Sequence, residues 1–149
     1  MTAPPPPVQP SSMLRPGLGL LAGMGVTVLI VFVGVTVSTL AALRSVDPAA
    51  YVAPFWTYPT HLVISALGAM GGGFTTSRIT AERSLFTTLV LALILLMSAL
   101  TPVLRGTAGA PGQPAWYPLS LAVASFVGAM LGGVLERRPR RVVRHPAET

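Results

Sequence analysis

The chain has 149 residues, of which 52% are hydrophobic and 9% charged, with a formal net charge of +6. A soluble globular chain carries about a quarter charged residues, so too little polar side chain is left here to cover a water-facing surface, and the composition implies a bilayer as solvent. Cysteine is absent, which excludes disulfides, thiolate metal sites and cysteine nucleophiles.

The first sixteen residues, MTAPPPPVQPSSMLRP, hold six prolines and no apolar run. Residues 1–16 are expected to form a disordered, partly polyproline-II tail, with a Pro-rich docking motif as the alternative. Gly17 to Leu43 contains no charge and exceeds the roughly 20 residues that cross about 30 Å of hydrocarbon. A cleaved signal peptide is the rival reading, because Arg15 precedes the run and Ala41-Ala42 follow it. Its apolar core would be only about 7–15 residues, so an uncleaved helix is favoured.

Three more uncharged stretches follow, at about 59–77, 84–104 and 116–135. The fold expected is therefore an all-α membrane protein with four transmembrane helices over residues 17–135. The six-residue connection Arg78–Arg83 forces the second and third helices into an antiparallel hairpin. Residues 136–149 form an Arg-rich tail.

Arginine sets the orientation. The N-terminal tail, the middle loop and the C-terminal tail hold Arg15, Arg78, Arg83, Arg137, Arg138, Arg140, Arg141 and Arg144, against Arg44 and Arg105 in the other two loops. The positive-inside rule places both termini in the cytoplasm. Trp56, Trp116, Tyr51, Tyr58 and Tyr117 fall on or beside the opposite side, as an interfacial aromatic belt would. Arginine without lysine, with many Ala, Gly, Val and Pro residues, is the usage of a GC-rich bacterial genome, and the inner membrane is the expected location. The cluster Arg137, Arg138, Arg140, Arg141 and Arg144 suits anionic lipid headgroups at about 1 kcal/mol per charge. Nucleic acid is not expected as a partner, since the tail lacks aromatic stacking platforms.

The chain resembles itself at an offset of 60. Residues 54–78 (PFWTYPTHLVISALGAMGGGFTTSR) and 114–138 (PAWYPLSLAVASFVGAMLGGVLERR) are identical at ten of 25 positions, including Trp56/Trp116, Ser65/Ser125, Gly68/Gly128, Gly72/Gly132 and Gly73/Gly133. We read a duplicated two-helix hairpin whose copies share one orientation, so that any pseudo-twofold axis runs along the membrane normal. Convergent packing is the alternative.

Gly68, Gly72 and Gly73, with Gly128, Gly132 and Gly133, create small-xxx-small strips. Lipid supplies no hydrophobic drive between helices, so association needs close backbone approach, which such strips allow. A glycine-lined permeation path is the functional alternative. His61, one or two residues into the second span, is a candidate cofactor ligand because a membrane-embedded ionisable group points to function; at that depth a neutral imidazole that reaches water is the simpler reading. His145, among the tail arginines, reads as solvated. Asp47, Glu82, Glu136 and Glu148 lie in loops, at a helix end or in a tail, so proton-coupled export lacks its intramembrane carboxylate. Ser38, Ser65, Ser98, Ser120 and Ser125 have no paired base in the membrane and read as interhelical hydrogen-bonding groups.

Gly72-Gly73-Phe74-Thr75-Thr76-Ser77, followed by Glu82, resembles the GGFTTFST…E signature of small four-helix fluoride channels. The likeness covers barely ten residues and sits on the second span, where that family has it on the third. The family's glycine-rich Arg motif and its Asn are missing; this chain contains no Asn. Over most of its apolar length the chain resembles a loose group of small uncharacterised bacterial four-helix membrane proteins. It shares with them the exit from Gly72-Gly73 to Arg78 and Ala81, the opening Trp116-Tyr117-Pro118, and the exit from Gly132-Gly133 to Arg137-Arg138. That resemblance implies fold and topology and lends no activity.

These features together lead to the expectation of a non-enzymatic membrane component without a cofactor, an accessory or assembly subunit binding other membrane helices in a homo- or hetero-oligomer. An oligomeric passive channel or carrier for a small solute or ion is the first alternative. A pigment- or haem-associated subunit using His61 is the second.

Overall fold

A computed structural model describes residues 11–44, 54–80, 84–106 and 113–136. Four helices account for nearly all of them: α1 (Ser11–Leu43), α2 (Thr57–Thr80), α3 (Ser84–Leu104) and α4 (Tyr117–Glu136). No strand occurs among the described residues.

α1 begins at Ser11, six residues before the expected Gly17, so Ser11–Pro16 are helical and not part of a structureless tail. Pro16 lies beyond the first turn, where it removes one hydrogen bond from the ladder without ending the helix. α2 runs further at both ends than the expected 59–77. α3 covers the expected range and stops at a glycine: Gly106 takes φ 65° and donates from its N–H to the Val103 carbonyl at 3.1 Å. A residue with a side chain is strained in that left-handed conformation.

α1, α3 and α4 are long and apolar enough to cross a membrane, over Leu14–Leu43, Leu85–Leu104 and Tyr117–Glu136. α2, expected to be a span like the others, is not in that set. Packing supplies the reason. α2 contacts all three other helices, most extensively α4 and α1. Its buried positions are all small: Thr57, Ser65, Gly68, Ala69, Gly72, Gly73, Thr76, Ser77 and Thr80. A helix packed against three others needs close approach along its contact faces more than an oily surface.

α1 and α2 run antiparallel, since Gly19 faces Thr80 while Gly34 faces Ile64. α2 and α4 run parallel, with Gly73 against the Ala129 backbone, Gly128 against Ala66 and Gly132 against Met70. These pairs differ by 56 to 62 residues, so positions 60 apart lie near the same level. α3 closes the bundle against α4 and α2. Where these three helices meet, the core is alanine: Ala69, Ala92 and Ala129 are fully buried, with Leu95, Phe126 and Met130 packed around them. Large apolar side chains point outward instead, among them Leu21, Phe32, Leu67, Phe86, Leu104 and Leu131.

Candidate functional site

Each glycine on the two related helices has a neighbour that fills the place of a side chain. Gly68 and Gly72 lie against Thr27 and Gly23 of α1, and Gly73 against Ala129 of α4. In the other copy, Gly128 and Gly132 lie against α2, and Gly133 against Thr88 of α3. The same strip therefore meets a different helix in each copy. All six glycines are spent on contacts within the chain, which leaves none of them as a surface for a partner.

Hydroxyl groups then lock what the glycines bring together. Thr76 donates to the Gly19 carbonyl of α1 at 3.0 Å, and Ser77 to the Gly133 carbonyl of α4 at 3.2 Å. Thr75 and Thr80 donate back to Gly71 and Thr76 on their own helix, each at 2.9 Å. The Phe74-Thr75-Thr76-Ser77 stretch is thus a set of backbone clamps, with its hydroxyls turned to carbonyls. The arginines at 137, 138, 140, 141 and 144 lie outside the described residues.

Toward the opposite, aromatic end the bundle is looser. α1 meets α3 only slightly, and a cavity of about 580 Å³ opens there with walls from all four helices. Its hydroxyls are Thr27, Thr36, Ser65, Ser98 and Ser125; the rest of the lining is apolar, from residues such as Val31, Val35, Leu95 and Leu121, and none is charged. Ser65 and Ser125 are 60 residues apart and lie level on α2 and α4. Both stand eight residues from the first residue of their helix. Ser98 lines the cavity from α3, so three helices each present a serine there, opposite a wall of α1 that carries Thr27 and Thr36 among its apolar residues. Pro102 carries no N–H, so the Ser98 carbonyl also lacks its usual helical donor.

One turn further out on three of these helices lies His61. It is four residues from Ser65, Ser38 is three from Val35, and Tyr117 is four from Leu121. The His61 Nε2 and the Ser38 Oγ are 3.2 Å apart, and the Tyr117 hydroxyl lies a long 3.5 Å from Nδ1. Ser38 spends its only proton on the Val35 carbonyl at 2.9 Å. Nε2–H therefore donates to Ser38, and Nδ1 accepts from Tyr117, the arrangement of a neutral imidazole. Tyr58 packs edge-on against Tyr117 with centroids 5.1 Å apart, and Trp116 flanks it at 6.1 Å. Thr57 Oγ1, buried one turn above His61, has no hydrogen-bonding partner among the described residues.

His61 is thus a bridge from α2 to α1 and α4, and it stays partly exposed. Ser38 has a base beside it after all, contrary to the expectation that the serines lack one. The pair does not form a nucleophilic centre in this setting. Among the described residues no carboxylate backs His61, and Ser38 lies inside α1, where neighbouring backbone N–H groups belong to the helical ladder and cannot form an oxyanion hole. An iron or magnesium on His61 would have to displace Ser38 or Tyr117. What the arrangement offers is an apolar cavity with five hydroxyl side chains on its wall. Thr27 and Thr36 went unnoticed in the sequence, because they sit among valines with no motif around them.

No protein-family model matches the chain, and no curated protein or solved structure matches it either.

Proposed function

We propose that the chain is a non-enzymatic bacterial inner-membrane protein that crosses the bilayer four times, with both termini in the cytoplasm, and that it serves as an accessory or assembly subunit. Apolar side chains cover its outer surface on every helix, a load that a soluble monomer does not expose. α2 crosses with its small-residue faces covered by α1 and α4 and with Val63 and Leu67 turned outward. The two hairpins are copies of one unit, and the arginine tail grips anionic headgroups on the cytoplasmic face.

The observation that carries the assembly reading is an unfilled notch on α1. A glycine inside a helix costs about 1 kcal/mol relative to alanine, so each one calls for a reason. Among the glycines of the four helices, only Gly17 and Gly25 would accept a methyl group without meeting a neighbour. Gly25 lies in a shallow, wholly apolar depression with Leu21, Met24, Val28, Leu29 and Phe32, on the helix that the bundle covers least. A transmembrane helix of a partner protein would fill that notch by close backbone approach.

A photo-crosslinking amino acid in place of Leu29, tested in intact cells, should capture one discrete protein, and Gly25→Leu should abolish the adduct. Adducts to lipid alone would sink the assembly reading.

A further inference from the structure

We propose that the cavity between α1 and the other three helices is a binding site for one neutral, largely apolar molecule that carries a single hydrogen-bonding oxygen, such as an aryl ketone, a phenol or an alcohol. This goes beyond the association at Gly25 and stands on different residues. Its volume of about 580 Å³ falls in the range of small-molecule pockets, about 300–1,000 Å³.

The lining selects the chemistry. Among the described residues no charged side chain faces the cavity, so none of them offsets the cost of desolvating an ion. Val, Leu and Phe make up half of the lining, so the site suits a ligand with more hydrocarbon than hydroxyl. Yet Ser65, Ser98 and Ser125 all line it, from three different elements. A lipid acyl chain there presents only methylenes and leaves all three hydroxyls unanswered. A molecule with an oxygen and hydrocarbon on either side answers them.

The rim shows the route in. Phe32 and Thr36 of α1 and Ser98 of α3 line the cavity and are also exposed on the bundle surface, so the mouth opens sideways between α1 and α3. A ligand reaches it from within the apolar layer. His61, tied to Ser38 and Tyr117, stands one turn from Ser65 toward the aromatic end.

The probe is benzophenone, which is neutral, has one carbonyl oxygen and bonds covalently to nearby C–H groups on illumination. The full chain is reconstituted in phosphatidylglycerol nanodiscs, and adducts are mapped by mass spectrometry. Saturable labelling should concentrate on Val35, Leu95 and Leu121. Thr36→Trp and Ser98→Trp, both at exposed rim positions that the fold does not depend on, should remove it. Ser65→Ala combined with Ser125→Ala should weaken saturation by about three- to tenfold, the range that the loss of a hydrogen bond produces. Diphenylmethane, which has the same shape without the oxygen, should compete more weakly than unlabelled benzophenone by a similar factor. If the double variant loses its helical melt, Ser98→Ala replaces it. Labelling that never saturates and spreads over Leu21 and Leu29 would overturn the site. Equal competition by diphenylmethane, or unchanged affinity after serine removal, would overturn the ligand class and assign the cavity to hydrocarbon chains.

Discussion

Thr76 reaches from α2 to the carbonyl oxygen of Gly19 on α1, 57 residues away in the chain, and donates a hydrogen bond of 3.0 Å. The contact depends on a missing side chain. A methyl group on Gly19 would meet Thr80, and one on Gly23 would meet Thr76 itself. Thr76→Val keeps the shape and removes the donor. It should lower thermal stability in detergent by about 0.6–2 kcal/mol, the range for interhelical hydrogen bonds in membranes. An unchanged melt would show that the bond adds nothing to the packing.

Glycine positions that look alike in sequence should respond in opposite ways. Gly132→Leu drives a side chain into the Met70 carbonyl. It should cost at least the 1–3 kcal/mol typical of overpacking, read as loss of the monodisperse folded species in detergent. Gly25→Leu points into open space and should leave the isolated bundle as stable as before. Equal damage from both would contradict the assignment of Gly25 to the outer surface.

The imidazole bridge should control how firmly α1 and α4 are held at the aromatic end. His61→Ala removes both partners at once, and spin labels at the exposed positions Val37 and Leu119 should then report a broader distance distribution. His61→Gln, which keeps a donor near Ser38, should recover part of the order. A distribution as narrow as wild type in His61→Ala would mean that the aromatic packing alone sets the spacing.

Topology can be read cleanly because the chain has no cysteine. A single cysteine at Thr2 or Thr149 should react with a membrane-impermeant maleimide only after the cells are opened. One at Thr107 should react in intact cells. Reaction of Thr149→Cys in intact cells would reverse the orientation inferred from arginine.

The four helices were legible because each is an uncharged run of helix length, and the run at 84–104 is bounded so sharply by Arg83 and Arg105 that α3 coincides with it. The start of α1 was not legible. Six prolines argue for a structureless tail, but five of them precede Ser11, and the sixth, Pro16, is tolerated within the helix. The importance of Gly68 and Gly132 was visible in their spacing, whereas their partners were not, since a small-xxx-small strip says that something comes close and not which helix does. Ser38 and His61 lie 23 residues apart on different helices, and only the register of α1 against α2 brings them together. The cavity was hidden for a similar reason. It lies between α1 and α3, which meet only slightly, and no local pattern encodes so sparse a contact.

The packing of α2 has a consequence for how the protein is made. Its buried face is glycine, alanine, serine and threonine throughout, so on the membrane reading it would sit poorly in bare hydrocarbon. α1 is already synthesised when α2 emerges and can receive Thr76 at once. The Gly133 carbonyl that takes the Ser77 hydroxyl comes 56 residues later, and Gly73 must wait about as long for Ala129. During that interval one side of α2 has no helix against it. Biogenesis therefore calls for a temporary shelter, a translocase wall or a membrane chaperone surface, that holds the second helix until the fourth arrives.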